Sequence, residues 1–364
     1  MSKIPFNPEK ELSIIGYYES ASGGKTPYFD TPILPKDNMK MLFEGKTPLW
    51  IPTMQDLLSV SPLCIPDNPA RGFAFDTRLL TDDEKGGLDM FGIEWEYVPV
   101  TGGSTVRPGQ PLFEDANEWK EKLAGRIPDP YTWGWEENYE RIKGLVDDRR
   151  MKRSVILSGF FERLISFMNF SNALLALIDD EQKDAVHEIF DMLCGVYQKM
   201  IDKMIDALHV DMIEIHDDWG SQRAPLFSAD TIREMILPYL KRTIDYAHKR
   251  GIYVSLHSCG KNETLVPCMI EAGVDMWCPQ AINDFDYLVE NYGKQIVIGV
   301  NPDVLPAGLT DDEIKEVARK FVAKYADNPR IFLFKSPSRH NKPEYVTYFN
   351  EVYCESRRVL AEKE

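Results

Sequence analysis

The chain has 364 residues, 43 % of them hydrophobic and 27 % charged, which is the balance of an ordinary globular protein. With 58 acidic against 42 basic residues the net charge is −16, a sign that repels phosphate backbones and anionic lipid, so neither nucleic acid nor a membrane is expected as a partner. The opening MSKIPFNPEK has no apolar signal core, no transmembrane-length apolar run occurs, and six cysteines are scattered without a disulfide rhythm, which predicts a reducing cytoplasm.

Residues 1–45 read as an N-terminal extension, and the whole first 150 residues are irregular, punctuated by Pro and Gly. Trp50, Trp95, Trp119, Trp133 and Trp135 nevertheless demand a core there. PLWIP (48–52) reads as a short buried strand, and MFGIEWEYVPV (90–100) as a strand leading into a Gly-Gly turn at 102–103. From residue 154 the pattern becomes regular. SVILSGF (154–160) predicts a strand, and 180–208 a helix whose apolar stripe is Ile189, Leu193, Val196, Met200, Met204 and Leu208. DMIEIHDD (211–218) is a strand; 228–251 is a helix with Ser228 as N-cap, Gly251 as stop and Pro238 as a kink.

IYVSLHSCG (252–260) is the next strand and 262–273 the next helix. MWCPQ (276–280), a helix near 284–292, and IVIGVN (296–301) follow. A capped helix from Thr310 to about Asp327, a strand IFLFKS (331–336) and a helix from about Pro343 complete the chain. Strand–helix alternation predicts a parallel sheet, and so many units without a nucleotide-binding glycine fingerprint favour a (β/α)8 TIM-type barrel over a doubly wound sheet. With no repeat or low-complexity linker, residues 1–364 read as a single barrel domain.

In such a barrel the strand ends carry the chemistry. In DMIEIHDDWG, Ile213 and Ile215 share the helix-facing side, so Glu214, His216 and Asp218 point inward. In the next strand Val254 and Leu256 face the helices, while Ser255, His257 and Cys259 face inward. His257 and Cys259 at i, i+2 have a spacing that lets imidazole and thiolate reach one Zn2+. Gln280 and Asn301 close the next two strands and are candidates to orient a substrate. Buried Glu214 must be either paired or catalytic, and Asp217–Asp218 either caps a loop or works in the site. Met192, Met200 and Met204 read as core, Cys194 and Cys354 as buried filler, and His248 as a cation in a helix's last turn.

These residues resemble the uroporphyrinogen decarboxylase superfamily from about residue 46 onward, most specifically over DDWGSQRAPLFSADTIREMILPYLKRTIDYAHKRGIYVSLHSCG (217–260), with GVDMWCPQ and FGIEWEYVP in support. The resemblance implies a distorted (β/α)8 barrel. The decarboxylase's carboxylate-gripping arginine segment has no counterpart in PLWIPTMQD (48–56), its tyrosine is replaced by Phe167 and its serine by Asp218, which disfavours decarboxylation. The coenzyme M methyltransferases of the superfamily hold zinc through His-x-Cys and a distant cysteine. His257 and Cys259 match the first two, whereas KSPSRHN (335–341) lacks the third ligand and offers His340 as a substitute.

HDDWGSQ and FGIEW are most similar to the aryl methyl ether O-demethylating branch. That likeness implies a methyltransferase moving a methyl group from a methoxylated, aromatic donor to Co(I) of a corrinoid (cobalamin) carried by a partner protein. Glu214, Asp218 and His257 are then the catalytic candidates, with or without zinc at His257 and Cys259. His216, Asp217, Gln280, Asn301 and Phe167 are the candidates for substrate contact. The alternatives are a zinc-dependent methylcobalamin:thiol methyltransferase, a decarboxylase of a small acid, and a non-catalytic accessory that binds the corrinoid protein.

Overall fold

The computed structural model describes residues 4–19, 25–100, 102–107, 109–302, 304–328, 330–335 and 343–361. They group into two units, one of Met1–Leu58, Asp147–Met151 and Asp275–Glu364, the other of Ser59–Val146 and Lys152–Val274.

In the second unit three strands, Met151–Ile156, Met212–His216 and Tyr253–His257, pair in parallel in that order. Their apolar residues are buried on both faces, as strands flanked by helices require. The Lys183–Leu208 helix connects the first two and buries all six residues of the predicted stripe; Met192, expected in the core, is only half-buried. Before the third strand, Ser228 caps as predicted, its Oγ accepting from Thr231 N at 3.0 Å. The Pro238 kink takes the form of a π-helical stretch over Ile232–Ile236, ahead of Leu237–Lys249. Proline has no N–H for the carbonyl four residues back and its ring crowds it, so the preceding turn widens. Gly251, at φ +80°, ends that helix. The predicted strand around 90–100 is Glu94–Val98, the middle of a three-stranded antiparallel sheet with Gly87–Leu88 and Gly103–Val106.

In the first unit Met276–Trp277, Val297–Val300 and Ile331–Leu333 pair in parallel. Between them run the helices Phe285–Tyr292, capped by Asp284, and Asp311–Tyr325, which starts with a Thr310/Glu313 capping box; Pro343–Ala361 follows. The predicted strand at 48–52 is not formed. Pro48 and Pro52 lack N–H groups for a ladder, and the segment makes one parallel bridge, Thr53 to Leu333, before the short strand Leu57–Ser59. The N-terminal extension holds an antiparallel hairpin, Ile14–Glu19 with Lys25–Phe29, and the helix Pro35–Phe43. It is tied down by Glu11, whose carboxylate takes both Nε (2.7 Å) and Nη2 (3.0 Å) of buried Arg357. Parallel strands alternating with helices make this an α/β fold of TIM-barrel type. No helix among the described residues is long and apolar enough to cross a membrane.

Candidate active site

The site grows from the register of two strands. His216 lies opposite His257 in the parallel ladder, so both side chains leave the same face and their rings stack, centroids 4.4 Å apart. Two residues deeper, Glu214 lies opposite Ser255, whose Oγ is 3.4 Å from Glu214 Oε2. Arg153, from the neighbouring strand, donates from Nη1 to Glu214 Oε2 at 2.6 Å and from Nη2 to Ser59 Oγ at 2.8 Å. Glu214 Oε1 is 3.2 Å from His216 Nε2. Burial alone would raise the Glu214 pKa, but the Arg153 charge and the His216 contact outweigh it and hold the carboxyl well below the usual carboxylate range. Of the two roles left open for Glu214, paired or catalytic, the structure shows the pairing, with Arg153, His216 and Ser255.

One step towards the strand ends lie Asp218, His257 and Cys259. His257 Nε2 is 3.2 Å from Cys259 Sγ and 3.9 Å from Asp218 Oδ1, and Asp218 Oδ1 accepts from Cys259 N at 2.6 Å. One ligand atom from each residue lies within 4.8 Å of the other two, which makes this a metal-sized trio among the described residues. Burial, then the neighbouring His216, holds His257 below its ordinary pKa, which favours the neutral ring and its lone pair. Burial and the Asp218 charge push the Cys259 thiol up to about 12, so only a bound cation would make it a thiolate. An imidazole, a thiol and a carboxylate fit a borderline-soft dication, three protein ligands with a fourth position open. Asp218 stands where a third ligand would, a place for which the sequence offered His340 as a candidate, and His340 lies outside the described residues.

The main chain fixes this spacing. Gly260, at φ +96°, passes so close to Gly220 that a Cβ would stand 2.2 Å from the Gly220 carbonyl carbon. Ser258 Oγ accepts from Trp219 N at 3.0 Å and from Asn262 Nδ2 at 3.1 Å, tying the two strand-end loops together. Asp217 points away from the trio. It is fully buried and accepts from Phe161 N, Glu162 N and Trp219 Nε1, capping the Phe160–Met168 helix. Burial pushes its pKa up to about 7. Its role is the capping one, and substrate contact is not what its geometry offers.

Asp218 also lines a cavity of about 650 Å³, with Glu162, Arg71, Trp95, the Ser104–Arg107 edge of the antiparallel sheet and the Asn169–Asn172 turn. That volume suits a small organic molecule. Phe167 does not line it. The ring is fully buried between Phe91 and Phe113, centroids 5.0 and 5.8 Å away, so this candidate substrate contact belongs to the core. Gln280 and Asn301 follow Met276–Trp277 and Val297–Val300 in the first unit, both half-buried. Arg71, Glu162 and Arg153 were missed by the sequence reading. For Arg153 a signal existed, an arginine inside the apolar strand MKRSVI; Arg71 and Glu162 follow no periodicity that marks them.

Comparison with known proteins places this geometry in context. The model of the uroporphyrinogen decarboxylase family matches residues 68–336. A solved methyltransferase from Methanosarcina mazei superposes with a TM-score of 0.59 at 14 % identity, covering 90 % of this chain and 98 % of its own, a likeness of fold. A sugar phosphate isomerase/epimerase from Parabacteroides distasonis scores 0.35 at 9 % identity, covering 61 % and 77 % of the two chains. A D-allulose 3-epimerase from Methylomonas sp. scores 0.35 at 12 % identity, covering 70 % and 94 %. Those two scores bear no weight on what the chain does. Among curated proteins there is no match.

Proposed function

The chain belongs to the uroporphyrinogen decarboxylase family, and from that premise we propose that it is a methyltransferase, taking a methyl group from a methoxylated aromatic donor and passing it to Co(I) of a corrinoid on a partner protein. The observation that carries this reading is the Asp218–His257–Cys259 trio beside a cavity of about 650 Å³. Transfer would break the bond between the methyl carbon and the aryl oxygen while a carbon–cobalt bond forms from the Co(I) pair, the oxygen leaving with the pair of the broken bond and gaining a proton. An aryl ether resists this unless its oxygen is polarised or protonated. A zinc ion held by Asp218, His257 and Cys259 would supply that polarisation as a Lewis acid.

The chain's own residues set the stage. Arg153 keeps Glu214 ionised, Glu214 holds His216, and His216 stacks on His257, so the imidazole that faces the donor keeps its orientation. Glu214 acts here as support and not as the proton donor. Asp218 both lines the cavity and fixes the Cys259 amide.

The test mixes purified protein, cob(I)alamin and a panel of methoxylated phenols, following absorbance at the methylcobalamin band and metal content in parallel. Methylcobalamin should form with at least one donor and stoichiometric zinc should be found. Cys259→Ala should lose the zinc and slow transfer about 100-fold or more while the fold persists. A folded sample that methylates no Co(I) yet demethylates methylcobalamin when given thiols would replace this reading with the thiol-methylating one.

A further inference from the structure

Two buried arginines, Arg153 and Arg163, and the part-buried Arg71 stand near this site, and they differ in what their guanidinium groups already hold. Arg163 gives Nη1 to Asp89 and Nη2 to Asp67. Arg153 gives Nη1 to Glu214 and Nη2 to Ser59. Among the described residues Nε is without a hydrogen bond in all three, so it does not distinguish them. Arg71 does differ. Its Nη1 takes Leu157 O at 2.7 Å, Ser158 Oγ at 2.9 Å and, more loosely, Glu162 Oε2 at 3.4 Å, while Nη2 carries no hydrogen bond among the described residues. Its guanidinium lies 4.4 Å from the Trp95 ring centroid, which fixes its plane. The side chain is 12 % exposed and lines the same cavity as Asp218. Arg107, the other arginine of that lining, is 53 % exposed and paired with Glu94 at 2.8 Å.

A cation held rigidly on a cavity wall, with one terminal nitrogen unused, is built to take an anion. We infer that Arg71 determines donor specificity: the carboxylate of a methoxybenzoate docks on Arg71 Nη2, and its ring lies in the cavity with the methoxy group towards Asp218, His257 and Cys259. This rests on the donor reading above. Glu162 and Asp218 share the lining, and two acids beside one cation that already contacts Glu162 disfavour a dianion such as a phosphate ester. A quaternary ammonium donor is disfavoured because the Trp95 face it would need is taken by Arg71.

Binding is measured by calorimetry without any cobalamin, using 3- and 4-hydroxybenzoate, the demethylated products, against the matching hydroxybenzyl alcohols. Wild type should bind an acid about 10- to 100-fold more tightly than its alcohol. Arg71→Met should erase that preference at an unchanged melting temperature, and Arg71→Lys should restore part of it. If Arg71→Met fails to fold, the acid-against-alcohol ratio on wild type and its change in Arg71→Lys decide. Equal affinities in wild type, no binding of either ligand, or a preference that survives Arg71→Met would overturn the inference. The two readings fail separately. Acid-selective binding without methyl transfer from methoxybenzoates sinks the methyl-transfer reading alone, and equal transfer from acid and neutral ethers sinks the role of Arg71 alone.

Discussion

Arg163 and Arg71 belong to the same unit, yet one is sealed and the other is left open. Arg163 has no exposed surface, contacts the carboxylates of Asp67 and Asp89, and shares Asp89 with the indole N–H of Trp95. Backbone amides of Met90, Phe91 and Ile93 satisfy the remaining oxygens of those acids. Arg71 holds only a carbonyl, a hydroxyl and a loose carboxylate, and it faces a cavity. A buried charge whose partners are all internal joins pieces of the fold; one left short of partners marks where something from outside completes the set.

The sharpest way to break this contrast is to cut the sealed cluster. Asp89→Ala strands Arg163 in the core beside a single acid, and unfolding by urea should show a loss of about 3–5 kcal/mol. A loss no larger than that of an exposed salt bridge would mean that the cluster is wetter than its geometry says.

A carboxyl buried with no arginine in contact sharpens the same point. Asp56 takes Thr53 N at 2.6 Å, and burial lifts its pKa to about 6 despite the hydrogen bonds that oppose it. Its folded value lies above the unfolded one, so the native state binds the proton more tightly. That contribution is whole below about pH 4 and is lost as pH rises through about 6. Wild type should lose about 2 kcal/mol more than Asp56→Asn between pH 4 and pH 7, read from urea midpoints. Identical pH profiles would show that Asp56 is ionised throughout.

The smallest effect belongs to His216, which reaches the trio only through its stack on His257. His216→Ala should weaken zinc affinity roughly tenfold in chelator competition and leave the melting temperature nearly unchanged. A melting temperature that falls with zinc affinity intact would make the stack a packing contact only.

The sequence made the strand ends legible because a period of two is a local property. Once Ile213, Ile215, Val254 and Leu256 are assigned to the helix side, the directions of His216, His257 and Cys259 follow. Phe167 shows where that logic stops. A family position says which residue stands in for which, not whether its ring reaches the cavity, and here Phe91 and Phe113 enclose it. Arg71 and Glu162 were invisible for a different reason. They are joined across 91 positions of chain, and no local pattern announces a pairing made by the fold. The strand expected at 48–52 failed on covalent chemistry, since prolines at 48 and 52 cannot donate to a ladder.

The crossing of Gly220 and Gly260 divides labour within the site. Because backbone meets backbone there, the spacing of Asp218 and Cys259 is inherited from the main chain and owes little to whichever side chains line the cavity. The wall formed by the Ser104–Arg107 edge and the Asn169–Asn172 turn is therefore free to drift in sequence, and with it the choice of donor, while the reacting corner stays the same. A fold arranged this way acquires new substrates by changing its walls, without rebuilding the place where the bond breaks.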